Sequence, residues 1–235
     1  MLAAATASAS QEPVKYIGAD GTEKEATEYT VLDDMTIQEG QYGNVSLTLS
    51  AGTYVVKNDV SLRSRNSTAY IFLKGDVELI ICDGASLSLE SPNGGISGTG
   101  SEWNEQEKDF IFYHYSLTVY SQHQGTGKLI INYGAIQVKD FNFYGGELDV
   151  TGEASGKTAI ISYGNVNIAG GHVSLKGSSG SWSFQTLDGY VKATGTSNQN
   201  FTLTDTVNEF SQWTVSFSGG LADIKNVKYT SMAIQ

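Results

Sequence analysis

The feature that most constrains this chain is a short β-run closed by glycine, which recurs about every eight residues and groups in threes. Apolar residues almost never fall at helical spacing; within each run they alternate with polar ones. One unit reads Tyr70-Ile71-Phe72-Leu73-Lys74-Gly75, then Asp76-Val77-Glu78-Leu79-Ile80-Ile81-Cys82-Asp83-Gly84, then Ala85-Ser86-Leu87-Ser88-Leu89-Glu90. The next units take residues 110–115, 116–122 and 127–133; 135–140, 141–146 and 147–152; 158–164, 165–171 and 172–177; and a shorter fifth, 181–195. Alternate positions of the third runs are apolar in all five units. Leu87, Leu129, Leu148, Val173 and Val191 make one column, and Leu89, Ile131, Val150, Leu175 and Ala193 a second.

A unit of 19–25 residues with three strands cannot bury its own apolar face, so its neighbours must do so by stacking on it. Hydrogen bonds then run from unit to unit, and each unit adds about 4.8 Å of length. The pattern predicts an all-β fold: a single-stranded right-handed parallel β-helix with three strands per coil, over residues 46–235. Residues 11–45, polar and irregular, are assigned to an N-terminal cap that protects the edge of the first coil. A sandwich of short hairpins is the competing architecture; it is disfavoured by the scarcity of Asn-Gly and Asp-Gly two-residue turns. Residues 92–108 break the spacing and are predicted to form an extruded loop. Strand character continues from Phe201 to Tyr229 in a register that the pattern leaves open.

Composition narrows the function classes. A length of 235 residues with 40% hydrophobic content suffices for one elongated domain, and 27 Gly against 2 Pro reads as turn punctuation rather than disorder. The net charge of -11 speaks against nucleic acid and anionic membrane surfaces, because a phosphate backbone is met by a basic patch. Cys82 has no second cysteine to pair with and sits in the apolar run 79–82, so it is expected to be a small buried hydrophobe. No apolar stretch approaches the roughly 20 residues that cross a bilayer, and no membrane insertion is expected. Residues 1–10 carry Ala7-Ser8-Ala9, a small-x-small cleavage pattern, and are assigned as a signal-peptide remnant. Export to the medium or the cell surface is the consequence. The last five residues show neither anchor nor capping signature, so a terminal fragment of a longer surface protein is expected.

Several stretches, in order, carry a family resemblance: residues 16–23, Gly52-Thr53-Tyr54-Val55-Val56, residues 75–85, Ser116-Leu117-Thr118-Val119-Tyr120 with residues 125–129, and Asn165-Val166-Asn167-Ile168-Ala169-Gly170-Gly171-His172-Val173. Together they resemble the large secreted right-handed parallel β-helix proteins of anaerobic bacteria, over roughly residues 16 to 180. Members of that family are labelled adhesin-like or carbohydrate-binding, which implies a non-catalytic glycan-binding or adhesive role. The resemblance carries no catalytic motif, and residues 101–108 depart from its pattern.

Candidate chemistry was weighed in three classes: glycan binding, polysaccharide lyase or glycoside hydrolase action, and a structural spacer. Hydrolysis requires two carboxylates roughly 5–10 Å apart. Glu147 and Asp149, two apart on one outward face, are the one such pair in the pattern, but Lys128, His172 and Lys192 flank them as on an ordinary solvated surface. Lyase chemistry on such a scaffold needs a calcium cluster and a basic residue, and Arg63 and Arg65 lie on an early strand away from Glu147. No catalytic residues are assigned. His114, His123 and His172 fall in different units without pairing, so no zinc site is assigned. Calcium at Glu102, Glu105, Glu107 and Asp109 is conceivable but follows no known loop spacing, and no cofactor is predicted.

The aromatic residues are the stronger signal. The unit alignment puts Phe72, Phe112 and Ile161 in one first-run column beside Gln137, and Lys74, His114, Lys139 and Tyr163 in another. Flat rings with polar neighbours suit the apolar faces of sugars. Trp103, Phe112, Tyr113, His114 and Tyr163 are therefore the predicted ligand-binding residues, and a polysaccharide or a host or bacterial surface glycan is the predicted partner.

Overall fold

Successive side chains of an extended strand point to opposite faces, and this chain uses that alternation to bury one face of nearly every strand. The computed structural model describes residues 11–35, 37–152, 158–176, 184–186, 191–193, 200–204, 215–216 and 221–225. They are all-β, and most of their strands join one large parallel sheet curled into a half-barrel around an apolar interior.

The parallel pairings fall into three ladders. The first joins residues 45–50, 69–74, 94–97, 135–138, 160–162 and 184–186. The second starts at Thr30–Val31 and joins residues 52–56, 77–81, 117–121, 141–143, 166–168, 191–193 and 215–216. The third joins residues 60–63, 86–90, 128–132, 147–151, 172–176, 200–204 and 221–225. In the third ladder Leu87, Leu129, Leu148 and Val173 are successive register partners, none more than 1% exposed, and Leu89, Ile131, Val150 and Leu175 repeat the pattern two residues on. Each such side chain removed from water contributes about 1.5–3 kcal/mol.

Two expectations from the repeat are corrected. Val191–Ala193 does not continue the third ladder; it pairs with Val166–Ile168 in the second, and Phe201 and Leu203 are the register partners of Val173 and Leu175. Phe184–Thr186 and Val191–Ala193 supply a first and a second strand, so a further run is needed before the third ladder is reached again.

The second correction concerns the insertion. Residues 94–97 stay in the first ladder, and the segment that leaves it is an antiparallel hairpin, Thr99–Asn104 with Asp109–His114, rather than a loop over 92–108. Residues 110–115 therefore do not form a first-ladder strand. The row is taken by Gly94-Gly95-Ile96-Ser97, where adjacent backbones come so close that a Cβ on Gly95 (φ 137°) would lie 1.9 Å from the Ala135 carbonyl oxygen.

Residues 11–45 hold two different structures. Val14–Ile17 and Glu23–Ala26 form an antiparallel hairpin laid on the outer face of the second ladder, where Val14, Val55 and Ile80 make a second buried cluster with Tyr16, Tyr29 and Tyr120 against it. This explains the run 79–81: Leu79 and Ile81 enter the main interior while Ile80 lies outward beneath the hairpin. Cys82 is partly buried against both clusters, and burial raises its thiol pKa, as expected of a structural rather than a nucleophilic cysteine. Further on, Leu32 enters the main interior from a 3-10 turn, and the Asp33 carboxylate accepts hydrogen bonds from the backbone N–H groups of Lys57 and Asn58.

Candidate functional site

The hairpin of residues 99–114 owes its shape to its turn and its cross-strand pairs. The Asn104 side-chain oxygen accepts the backbone N–H of Gln106, and Lys108 takes a left-handed conformation (φ 53°) that returns the chain. Directly opposed residues share a face, so Trp103 with Phe110, Ser101 with Phe112 and Thr99 with His114 line one side. Glu102 with Ile111 and Gly100 with Tyr113 line the other. The Trp103 and Phe110 rings meet edge to face at 5.2 Å.

Both sides of the hairpin base are clamped to the first ladder. On one side the Tyr113 ring lies over Gly100 and stacks on Tyr115 with centroids 5.2 Å apart. Lys74 Nζ donates to the Tyr113 hydroxyl at 2.9 Å, stands 4.7 Å from that ring's centroid, and reaches Glu102 at 3.4 Å. These contacts raise the Lys74 pKa, chiefly through the Tyr113 hydrogen bond. On the other side His114 stacks on Tyr163 at 4.1 Å, and the Tyr163 hydroxyl accepts from Gln137 Nε2 at 3.1 Å. The His114 Nδ1 atom is buried there without a hydrogen-bond partner, an uncommon state for a polar atom.

Of the five residues predicted from sequence, Tyr113, His114 and Tyr163 thus gather at the hairpin base. Trp103 and Phe112 stand farther out on the His114 side of the hairpin, 47% and 72% exposed. Phe112 does not share a ladder column with Phe72 and Ile161; Ser97 holds that row, between Phe72 and Gln137. Phe110, 53% exposed, adds to the hairpin's exposed rings beyond the residues that sequence singled out, and on the first ladder the half-buried Tyr70 stacks on the exposed Phe72 at 5.2 Å. The signal for Phe110 was present as the density of rings in residues 110–115, but the unit alignment assigned that segment to the sheet.

Some of the charged candidates are ion-paired. Glu147 pairs with Lys128 at 2.6 Å, Glu105 with Lys108 at 2.6 Å and Arg63 with Glu90 at 3.1 Å. Partial desolvation raises the Asp149 carboxyl pKa, opposed by the Thr151 hydroxyl and by His172. Among the described residues no group of three or more His, Cys, Asp or Glu side chains converges on a common point.

Sequence reasoning missed a concavity. A cleft of about 520 Å³ opens where the chain turns from the second ladder to the third, lined in part by His123, Gln124, Tyr144, Glu147 and His172. It brings together two imidazoles that the repeat pattern kept apart, because the turn after residue 121 lies beside the start of the strand His172–Lys176.

Compared with protein-family models, curated proteins and solved structures, the chain matches none.

Proposed function

We propose that this chain is a secreted or surface-displayed right-handed parallel β-helix, three strands per coil with residues 11–45 as its cap, that binds polysaccharide without cleaving it. The observation that carries the reading is the exposed aromatic surface of Trp103, Phe110 and Phe112, held on a hairpin clamped to the first ladder by the Lys74–Tyr113 and His114–Tyr163 contacts. Loops and hairpins on a rigid frame are where binding surfaces sit. The three ladders support the helical reading, and the strong preference of parallel crossovers for one hand supports its right-handedness. Leu32 in the main interior supports the capping role. Export rests on Ala7-Ser8-Ala9, which lies outside the described residues.

Each stacked ring is worth about 1 kcal/mol, so affinity comes from several contacts along a polymer, changes little with salt, and exceeds that for monosaccharides. The test is a Trp103→Ala/Tyr163→Ala double variant, checked for folding by circular dichroism, in affinity electrophoresis through pectins, glucans and mucin glycans. Retention of the parent, lost in the variant and with no new reducing ends, is the expected result. Equal retention of both would remove this face and leave a structural spacer as the better reading. Unsaturated uronate or new reducing ends that disappear on replacing Glu147 or Asp149 would instead favour a lyase or hydrolase.

A further inference from the structure

We propose that the cleft between the second and third ladders is a separate sugar-binding subsite, shaped for one uncharged pyranose residue. Its volume of about 520 Å³ lies in the range of small-ligand sites. Its lining includes Gly145, Gly146 and Gly171. Three coils turn this corner on glycine, at 127, 146 and 171, and a Cβ on Gly146 or Gly171 would lie 2.6 Å or 2.3 Å from the carbonyl oxygen of the coil before. Gly146 (φ 90°) and Gly171 (φ 79°) also occupy the left-handed region, so side chains are excluded and a recess is left.

The walls supply what a sugar ring needs. Tyr144, which lines the cleft, stacks on Tyr120 at 5.5 Å, which in turn meets Tyr16 at 4.8 Å. Opposite stand Glu147 and His172, register partners in the third ladder. The turn above carries His123 and Gln124, and it is fixed in place: the Asp83 carboxylate accepts the backbone N–H of Gln124 and of Thr126, and Gln122 spans from the Asp83 N–H to the Lys15 carbonyl. Lys128 balances the charge of Glu147, so the cleft offers no unmatched charge to select an ion. What remains is a ring face with amide, imidazole and carboxylate groups, the complement of an apolar sugar face edged by hydroxyls. This subsite does not depend on the hairpin reading, since the hairpin projects from the first ladder.

The chain contains three histidines, one at the hairpin and two at the cleft, so imidazole proton NMR reports the two places separately. The full chain is titrated with methyl glucoside, methyl galactoside, methyl mannoside and N-acetylglucosamine, with sorbitol as an open-chain control. Saturable shifts at His123 and His172 with at least one pyranoside, and none with sorbitol, are expected. Tyr144→Ala should weaken that binding about tenfold. The exposed Gln124→Ala, which leaves the backbone bond to Asp83 intact, should weaken it severalfold, so a fold defect in the first variant does not decide the matter. Shifts confined to His114, shifts equal to those with sorbitol, or none at all would overturn the subsite. Shifts at the cleft with no polymer retention at the hairpin would uphold it while removing the other site.

Discussion

Leu148 and Phe112 are both large apolar residues in β-strands, yet the first is fully enclosed and the second is 72% exposed. Leu148 has Leu129 above it and Val173 below, so its burial is supplied by rows that repeat its own pattern. Phe112 lies in a strand whose sole sheet partner among the described residues is the other arm of its hairpin. A two-stranded ribbon has marginal stability by itself, and this one depends on the clamps at its base. Both segments are strands; what differs is whether neighbouring ladder strands meet the segment with a matching face.

Leu148→Asp should have the largest effect. The substitution places an unpaired carboxylate among Leu87, Leu129 and Val173, at a cost of several kcal/mol against a total stability of about 5–15 kcal/mol. Loss of the cooperative melting transition by circular dichroism is expected, whereas Leu148→Ala should cost about 2–5 kcal/mol and still fold. A Leu148→Asp protein that melts like the parent would refute the stacked interior.

The same contrast explains what could be read without coordinates. The third ladder was legible because Leu87-Ser88-Leu89 and Leu148-Asp149-Val150 repeat one alternation at a spacing that only stacking satisfies. The hairpin was not, because residues 110–115 have the length and composition of a ladder strand and nothing local marks their partner. A signal did exist: Gly94-Gly95-Ile96-Ser97 follows Leu87-Ser88-Leu89 much as Gly134-Ala135-Ile136-Gln137 follows Leu129-Ile130-Ile131, and these are register partners. The cleft was illegible for a different reason. Its walls come from the turns that join second-ladder to third-ladder strands, and periodicity describes strands, not corners.

A smaller effect tests the hairpin's dependence on its clamps. Tyr163→Ala removes the ring on which His114 stacks and the hydroxyl that accepts from Gln137, at a cost of about 1 kcal/mol. The loss should be local. Hydrogen exchange at residues 99–114 should speed up while amides of the Lys128–Val138 and Glu147–Thr151 strands exchange as before. Uniform acceleration throughout would mean that hairpin and ladders unfold as one unit, and the contrast between them would fail.

The smallest effect separates two acids on the outer face of a single ladder strand. Burial holds the Asp149 carboxyl pKa above its usual value, so the folded chain disfavours the ionised form relative to the unfolded one, whose pKa is about 3.9. That penalty is absent below the unfolded pKa, where both states are protonated, and is present in full above the folded one. Asp149→Asn should therefore raise the melting temperature slightly at neutral pH, within about 0.5 kcal/mol, and the gain should vanish as the pH falls below about 4. Two residues earlier on the same face the sign reverses: Glu147→Gln breaks the 2.6 Å pair with Lys128 and should cost up to about 1 kcal/mol at low salt, less as salt is added. Opposite signs at two acids on one outer face require that their local partners, not the −11 net charge, set each contribution. Equal stabilisation by both substitutions would show the reverse, that relief of overall repulsion dominates the outer surface.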